Sequence, residues 1–187
     1  MRRVMLAGAA LLLAVSSAEA QDPRPISFML GGALSAPTGD AGDDLDMGWF
    51  LHGGVRVQPA PWPVALRFDL GYGRNGISDV DDVSFNQITL GANVLYDIPV
   101  GPTAPVTPGI IGGIWYVGSA FGYGDDYNGP DDDDREWDFG ISIGGTLGFG
   151  NQTARVRPSA EIRYVTVSTE GDSNYNYFLF GVNLNIR

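Results

Sequence analysis

Between Glu136 and Gly150 the chain alternates strictly: Trp137, Phe139, Ile141, Ile143, Leu147 and Phe149 share one parity, and acids, glycines, Ser142 and Thr146 share the other. A period of two marks a strand with one face in an apolar environment. The same pattern recurs and predicts eight strands of about the 9–11 residues needed to cross a bilayer at a tilt. The first runs from Ile26 to Leu34, the second from Trp49 to Gln58, and the third sets Val64, Leu66, Phe68, Leu70 and Tyr72 against Ala65, Arg67, Asp69 and Gly71. The fourth spans Phe85 to Asp97 and the fifth Val106 to Val117, where Trp115 and Tyr116 compete for one face. Glu136 to Gly150 is the sixth. In the seventh, Val156, Ala160, Ile162 and Tyr164 oppose Arg157, Ser159, Glu161 and Arg163; in the eighth, Phe178, Phe180, Val182, Leu184 and Ile186 oppose Tyr177, Gly181, Asn183 and Asn185. No helical period competes after Ala20.

Alternation alone does not say whether the apolar parity faces a core or lipid, since soluble and membrane-spanning sheets share it with opposite orientation. The connections supply one argument. Short turns, "APWP", "VGPTAP" and "NQTA", follow the second, fourth and sixth strands, and longer polar segments, Ala36 to Met47, Arg74 to Ser84, Ser119 to Asp134 and Thr169 to Asn174, follow the others. Membrane barrels carry short turns on the periplasmic rim and long loops outside. The polar parity supplies another, because Gly31, Gly71, Gly91, Gly140, Gly144 and Gly148 are poor strand formers on a solvated face. They suit a narrow lumen in which small residues make room for Arg67 or Arg163. Trp49, Trp62, Tyr72, Tyr96, Trp115, Tyr116, Trp137 and Tyr164 lie mostly near strand ends, where interfacial girdles belong. Phe139, Ile141 and Ile143 are therefore expected to face lipid.

The first residues agree with an exported chain. "MRR", the apolar run Val4 to Val15 and Ala18-Glu19-Ala20 read as a secretory signal peptide over residues 1–20, cleaved after Ala20, leaving a barrel domain over 21–187. Removing it shifts the formal charge from −11 to −12, which argues against nucleic acid as a partner. There is no cysteine, and every basic residue is arginine.

On "ITLGANVLYDIPVG" (Ile88 to Gly101), "PGIIGGIWY" (Pro108 to Tyr116) and the last strand "FGVNLNI", the chain resembles the small eight-stranded outer-membrane barrels of the OmpA, OmpX and opacity-protein type. Gly181, Leu184 and Ile186 take the glycine and apolar positions of that family's assembly signal, which departs here in ending on Arg187 rather than an aromatic. The resemblance implies an all-β, antiparallel up-and-down transmembrane barrel in the outer membrane, loops extracellular and both mature termini periplasmic. It further implies a monomer whose partners are outer-membrane lipid, lipopolysaccharide and the barrel assembly machinery. No periplasmic peptidoglycan-binding domain is expected after Arg187.

Candidate chemistry is sparse. His52 is the only histidine, and a register placing it opposite Asp69 would offer a base beside a carboxylate; no serine lies near it in sequence, so it reads as an interior histidine hydrogen-bonded in a polar plug. Of the 21 acids left after cleavage, 15 lie in the four longer segments, among them Asp125, Asp126 and Asp131 to Asp134. Their spacing does not make a dedicated calcium loop, so solvated, mobile loops with at most weak divalent-cation binding are expected. No catalytic, cofactor or metal residue is assigned. Arg56, Arg67, Arg157 and Arg163 share the polar face with Asp69, Asp138 and Glu161, and charges in a narrow lumen must pair. Approximate registers set Gly144 opposite Glu161 and Gly181 opposite Arg163. The reading is a small non-enzymatic outer-membrane barrel with a side-chain-plugged lumen and acidic extracellular loops. Its alternatives are a barrel enzyme acting on lipid A or peptides through His52, and a soluble exported barrel binding a small apolar ligand.

Overall fold

A computed structural model describes residues 26–60, 62–101, 104–123, 135–151, 154–169 and 174–187. The predicted signal peptide and its cleavage site lie outside these residues. Eight strands follow in order: β1 (Ile26–Thr38), β2 (Gly48–Val57), β3 (Ala65–Ile77), β4 (Val80–Asp97), β5 (Val106–Tyr123), β6 (Glu136–Phe149), β7 (Val156–Ser168) and β8 (Asn174–Ile186). Each pairs antiparallel with its neighbour in sequence, and β8 returns to β1, closing the sheet without a free edge. The start of β1 and the end of β8 share a rim, since Phe28 pairs with Ile186.

The outer wall carries the apolar parity. Phe139, Ile141 and Ile143 point outward with 68%, 62% and 64% of their surfaces exposed, and Leu30 and Val182 are as open. A continuous apolar surface of this kind needs hydrocarbon around it, which rules out the soluble barrel with an apolar inside. Two aromatic belts frame it. Trp49 lies 5.6 Å from Tyr72 and Tyr116 stacks at 4.9 Å on Trp137 toward one rim, while Trp62 and Tyr96 are exposed toward the other. Trp115, expected in a girdle, is instead buried in the lumen, because the pleat sends adjacent residues to opposite faces and Tyr116 takes the outer one.

Three expectations about the connections are corrected. Arg74 to Ser84 is not a long loop: β3 and β4 continue to a tight turn at Ser78 and Asp79, with Asp79 in the left-handed region (φ 61°) that aspartate tolerates. Ala36 to Met47 contains a single helical turn, α1 (Asp40–Asp44), too short to impose a period on the sequence. This segment is also tied down. Ser78 N donates to Asp44 O at 2.9 Å, Asp46 N to Gly76 O at 3.1 Å, and Asn75 Nδ2 to Asp46 O at 2.9 Å. Strand pairing thus runs well past the apolar belt, because the ladder is made of backbone hydrogen bonds and does not need apolar side chains. The clean alternation of short and long connections disappears with it. The segments holding Asp125, Asp126, Asp131 to Asp134, Glu170 and Asp172 lie outside the described residues.

Candidate functional site: a cross-braced lumen

The three proposed registers each differ by two residues from the structure. His52 pairs with Gly71 rather than Asp69, Gly144 with Arg163 rather than Glu161, and Gly181 with Glu161 rather than Arg163. A slip of two keeps every side chain on its face, so the lumen set is as expected while its neighbours change. The pairing of bulk with glycine survives the exchange. A Cβ on Gly144 would come within 2.9 Å of Arg163 Cγ, and one on Gly71 within 2.7 Å of Thr89 Oγ1 and closer still to the Phe50 ring, so glycine is what lets these groups lie against the wall.

In a ring of eight, β3 and β7 are diametrically opposed, and their charges meet across the full lumen. Arg67 grips Glu161 with a two-pronged fork, Nη1 to Oε2 at 2.7 Å and Nη2 to Oε1 at 3.0 Å, and its Nε reaches Asp69 at 3.1 Å. Arg163 Nη2 donates to Asp69 Oδ2 at 3.0 Å, and its Nε meets Glu161 Oε1. The four side chains are between 2% and 6% exposed and sum to zero charge. Neutral groups hold the carboxylates from the flanks: Asn93 Nδ2 donates to Asp69 at 3.0 Å and Asn183 Nδ2 to Glu161 at 3.4 Å. Arg163 also lies over the Trp115 ring, 5.2 Å from its centroid. His52 bonds through Nε2 to Asn183 Oδ1 at 2.6 Å and is buried in this network. Asp138, grouped with these charges by parity, stands away from them near the rim where β6 begins.

Two further lumen layers escaped the sequence reading. Toward the rim carrying α1, Phe50, Trp115, Val117, Val165, Val167, Tyr175, Tyr177 and Leu179 form an apolar layer, with Ala41 and Leu45 of the α1 segment packed over it. Gln87 Nε2 crosses it to Tyr175 Oη at 2.6 Å, again between opposed strands, β4 and β8. Tryptophan or phenylalanine beside another aromatic, as in Trp49-Phe50 and Trp115-Tyr116, was the available signal, since one of each pair must point inward. Toward the opposite rim, Arg56 pairs with Asp97 at 2.7 Å, a partner that its place at the end of β4 concealed.

A closed antiparallel barrel with an apolar outer wall and charged residues inside defines a membrane-spanning β-barrel protein. The chain belongs to the outer membrane protein beta-barrel domain family, which it matches over residues 7–187, and that membership places it in the outer membrane. No curated protein matches it by sequence. Among solved structures it is similar to Neisserial surface protein A (NspA), at 16% identity over 87% of this chain and 96% of that one, with a TM-score of 0.61. A major outer membrane protein from Thermus thermophilus aligns at 14% identity over 86% and 98%, TM-score 0.56. The outer membrane enzyme PagL aligns at 18% identity over 84% and 98%, TM-score 0.51. These likenesses concern the fold; the structural neighbours include a surface protein and an enzyme, so chemistry has to be argued from the residues here.

Proposed function

We propose that this protein is a non-enzymatic outer-membrane barrel, closed to ion flow by its own side chains, that serves a structural or surface-interaction role through an acidic outer rim. The observation that carries this reading is the Arg67–Asp69–Glu161–Arg163 quartet, which bridges opposed strands and pairs both of its carboxylates with arginine. His52 has an asparagine as its partner and is 8% exposed, an arrangement that suits holding Asn183 in place rather than activating a nucleophile. The barrel acts as a monomer in lipid and lipopolysaccharide after delivery by the assembly machinery. Its acidic rim binds divalent cations weakly, and nucleic acid is not a partner.

The deciding experiment is conductance in planar bilayers. The purified barrel is expected to show no large, steady open state, and a porin-like conductance would overturn the closed lumen. The α1 rim faces outward in this reading, with both mature termini periplasmic. Protease added to intact cells should then cut near Asp131 to Asp134 and spare residues 150–155; the reverse pattern inverts the topology.

A further inference from the structure

At the rim where β1 starts and β8 ends, the lumen opens into a cavity of about 40 Å³ lined by Arg56, Asp97, Thr107, Arg157, Ser159 and Asn185, among others. Its side-chain charge leans positive, with Arg56, Arg67, Arg157 and Arg187 bordering it against Asp97 and Glu161. Asp97 is engaged by Arg56 at 2.7 Å, and Glu161, which also borders the cavity, is held by Arg67 and Arg163. Neither carboxylate is engaged by Arg157. Its side chain is nine-tenths buried, 9% exposed, and neither Nε nor Nη2 has a hydrogen-bond partner among the described residues. A guanidinium stays protonated, so it cannot shed its charge as a buried lysine does, and orphaned donors on a buried cation are costly.

The orphaned atoms are Nε and Nη2, two of the donors from which guanidinium forks are built for the paired oxygens of a carboxylate or phosphate. The neighbouring strand β6 leaves room for the guanidinium itself: a Cβ on Gly148 would fall 2.6 Å from Arg157 Nη2. Asn185 braces the neighbourhood, donating to Arg157 O at 3.1 Å and to Ser159 Oγ at 3.0 Å. The cavity has room for about three waters at roughly 10–15 Å³ each, the footprint of a carboxylate or a tetrahedral oxyanion. Arg157 is the second residue of β7, so an ion reaches it from the mouth without crossing the quartet. We propose that this mouth is a binding site for a small oxyanion, held by Arg157 and flanked by Arg56 and Arg187.

The test titrates inorganic phosphate and, separately, acetate into the purified barrel in an uncharged detergent, read by calorimetry. One saturable site is expected. Arg157→Gln should weaken it about tenfold or more, the scale of a lost charge-assisted bond. Asp97→Asn, which frees Arg56, should tighten it, and Arg74→Gln on the far rim should leave it unchanged. Phosphate binding alone assigns a phosphate-type ligand, and acetate binding alone a carboxylate. Each variant is first checked for the resistance to denaturing detergent that a closed barrel shows before heating. If Arg157→Gln does not fold, the Asp97→Asn arm decides. Absence of a saturable site for either anion in the parent, an Arg157→Gln barrel that binds as well, or an Asp97→Asn barrel that binds no tighter would overturn the proposal.

Discussion

β7 carries two different interiors on one face. Glu161 and Arg163 belong to the charged layer at mid-lumen, and Val165 and Val167, on the same parity, belong to the apolar layer beneath α1. The charged layer is held by a few directed contacts, two of them across the lumen between β3 and β7 and two within a strand. The apolar layer is held by many undirected contacts among residues from β2, β5, β7 and β8. Removing one member of the first leaves a charge with nowhere to go; removing one member of the second leaves a gap that neighbours close in part. The two layers fill the same tube by different physics, and they should fail differently.

The largest effect is expected at Arg163, which serves Asp69, Glu161 and the Trp115 face together. Arg163→Ala should lower stability by about 3–5 kcal/mol, the scale for orphaning buried partners, read as a lower unfolding midpoint in urea. Replacing all four of Arg67, Asp69, Glu161 and Arg163 by apolar residues of matching volume should cost far less than that single change, because no charge is then left unpaired. If the quadruple replacement is the more damaging, the layer contributes net attraction and the contrast drawn here is wrong.

Leu179→Ala, in the apolar layer, should cost about 2–3 kcal/mol, the low end of the scale for buried leucine, since rim neighbours can settle into the space. A loss as large as that of Arg163→Ala would mean the layer is as rigidly interlocked as the salt bridges. The smallest effect, with opposite sign, belongs to Tyr177, fully buried with a hydroxyl that has no partner among the described residues. Tyr177→Phe should stabilise the barrel by about 1 kcal/mol by removing a donor that gains nothing. A destabilised Tyr177→Phe would reveal a hydrogen bond at that position and make the apolar layer partly polar.

How much of this was legible follows from what a period of two encodes. Parity assigned Phe139 outward and Arg163 inward correctly, and the charged set it picked out contains the four residues that meet at mid-lumen, while Arg56, Arg157 and Asp138 lie toward the rims. It did not separate Gly144 opposite Glu161 from Gly144 opposite Arg163, because both satisfy the same face. Polar residues such as Asn75 and Ser84 read as loop, yet they continue β3 and β4, because pairing at the tips is a property of two strands together and not of one. Asp97 showed no sign of a role at its strand end until the curvature of the closed sheet brought Arg56 to within 2.7 Å of it.

Alternation, composition and small residues on the polar parity were enough to establish an eight-stranded barrel in lipid with a charged interior. They act locally, within a strand and its immediate surroundings, and so they can be read one segment at a time. The register, the split of the lumen into charged and apolar layers, the covering of its mouth by Ala41 and Leu45, and the orphaned Arg157 were decided only on closure. Closure brings β3 against β7 and β4 against β8 across a space just wide enough for side chains, and which of them meet depends on the whole ring at once.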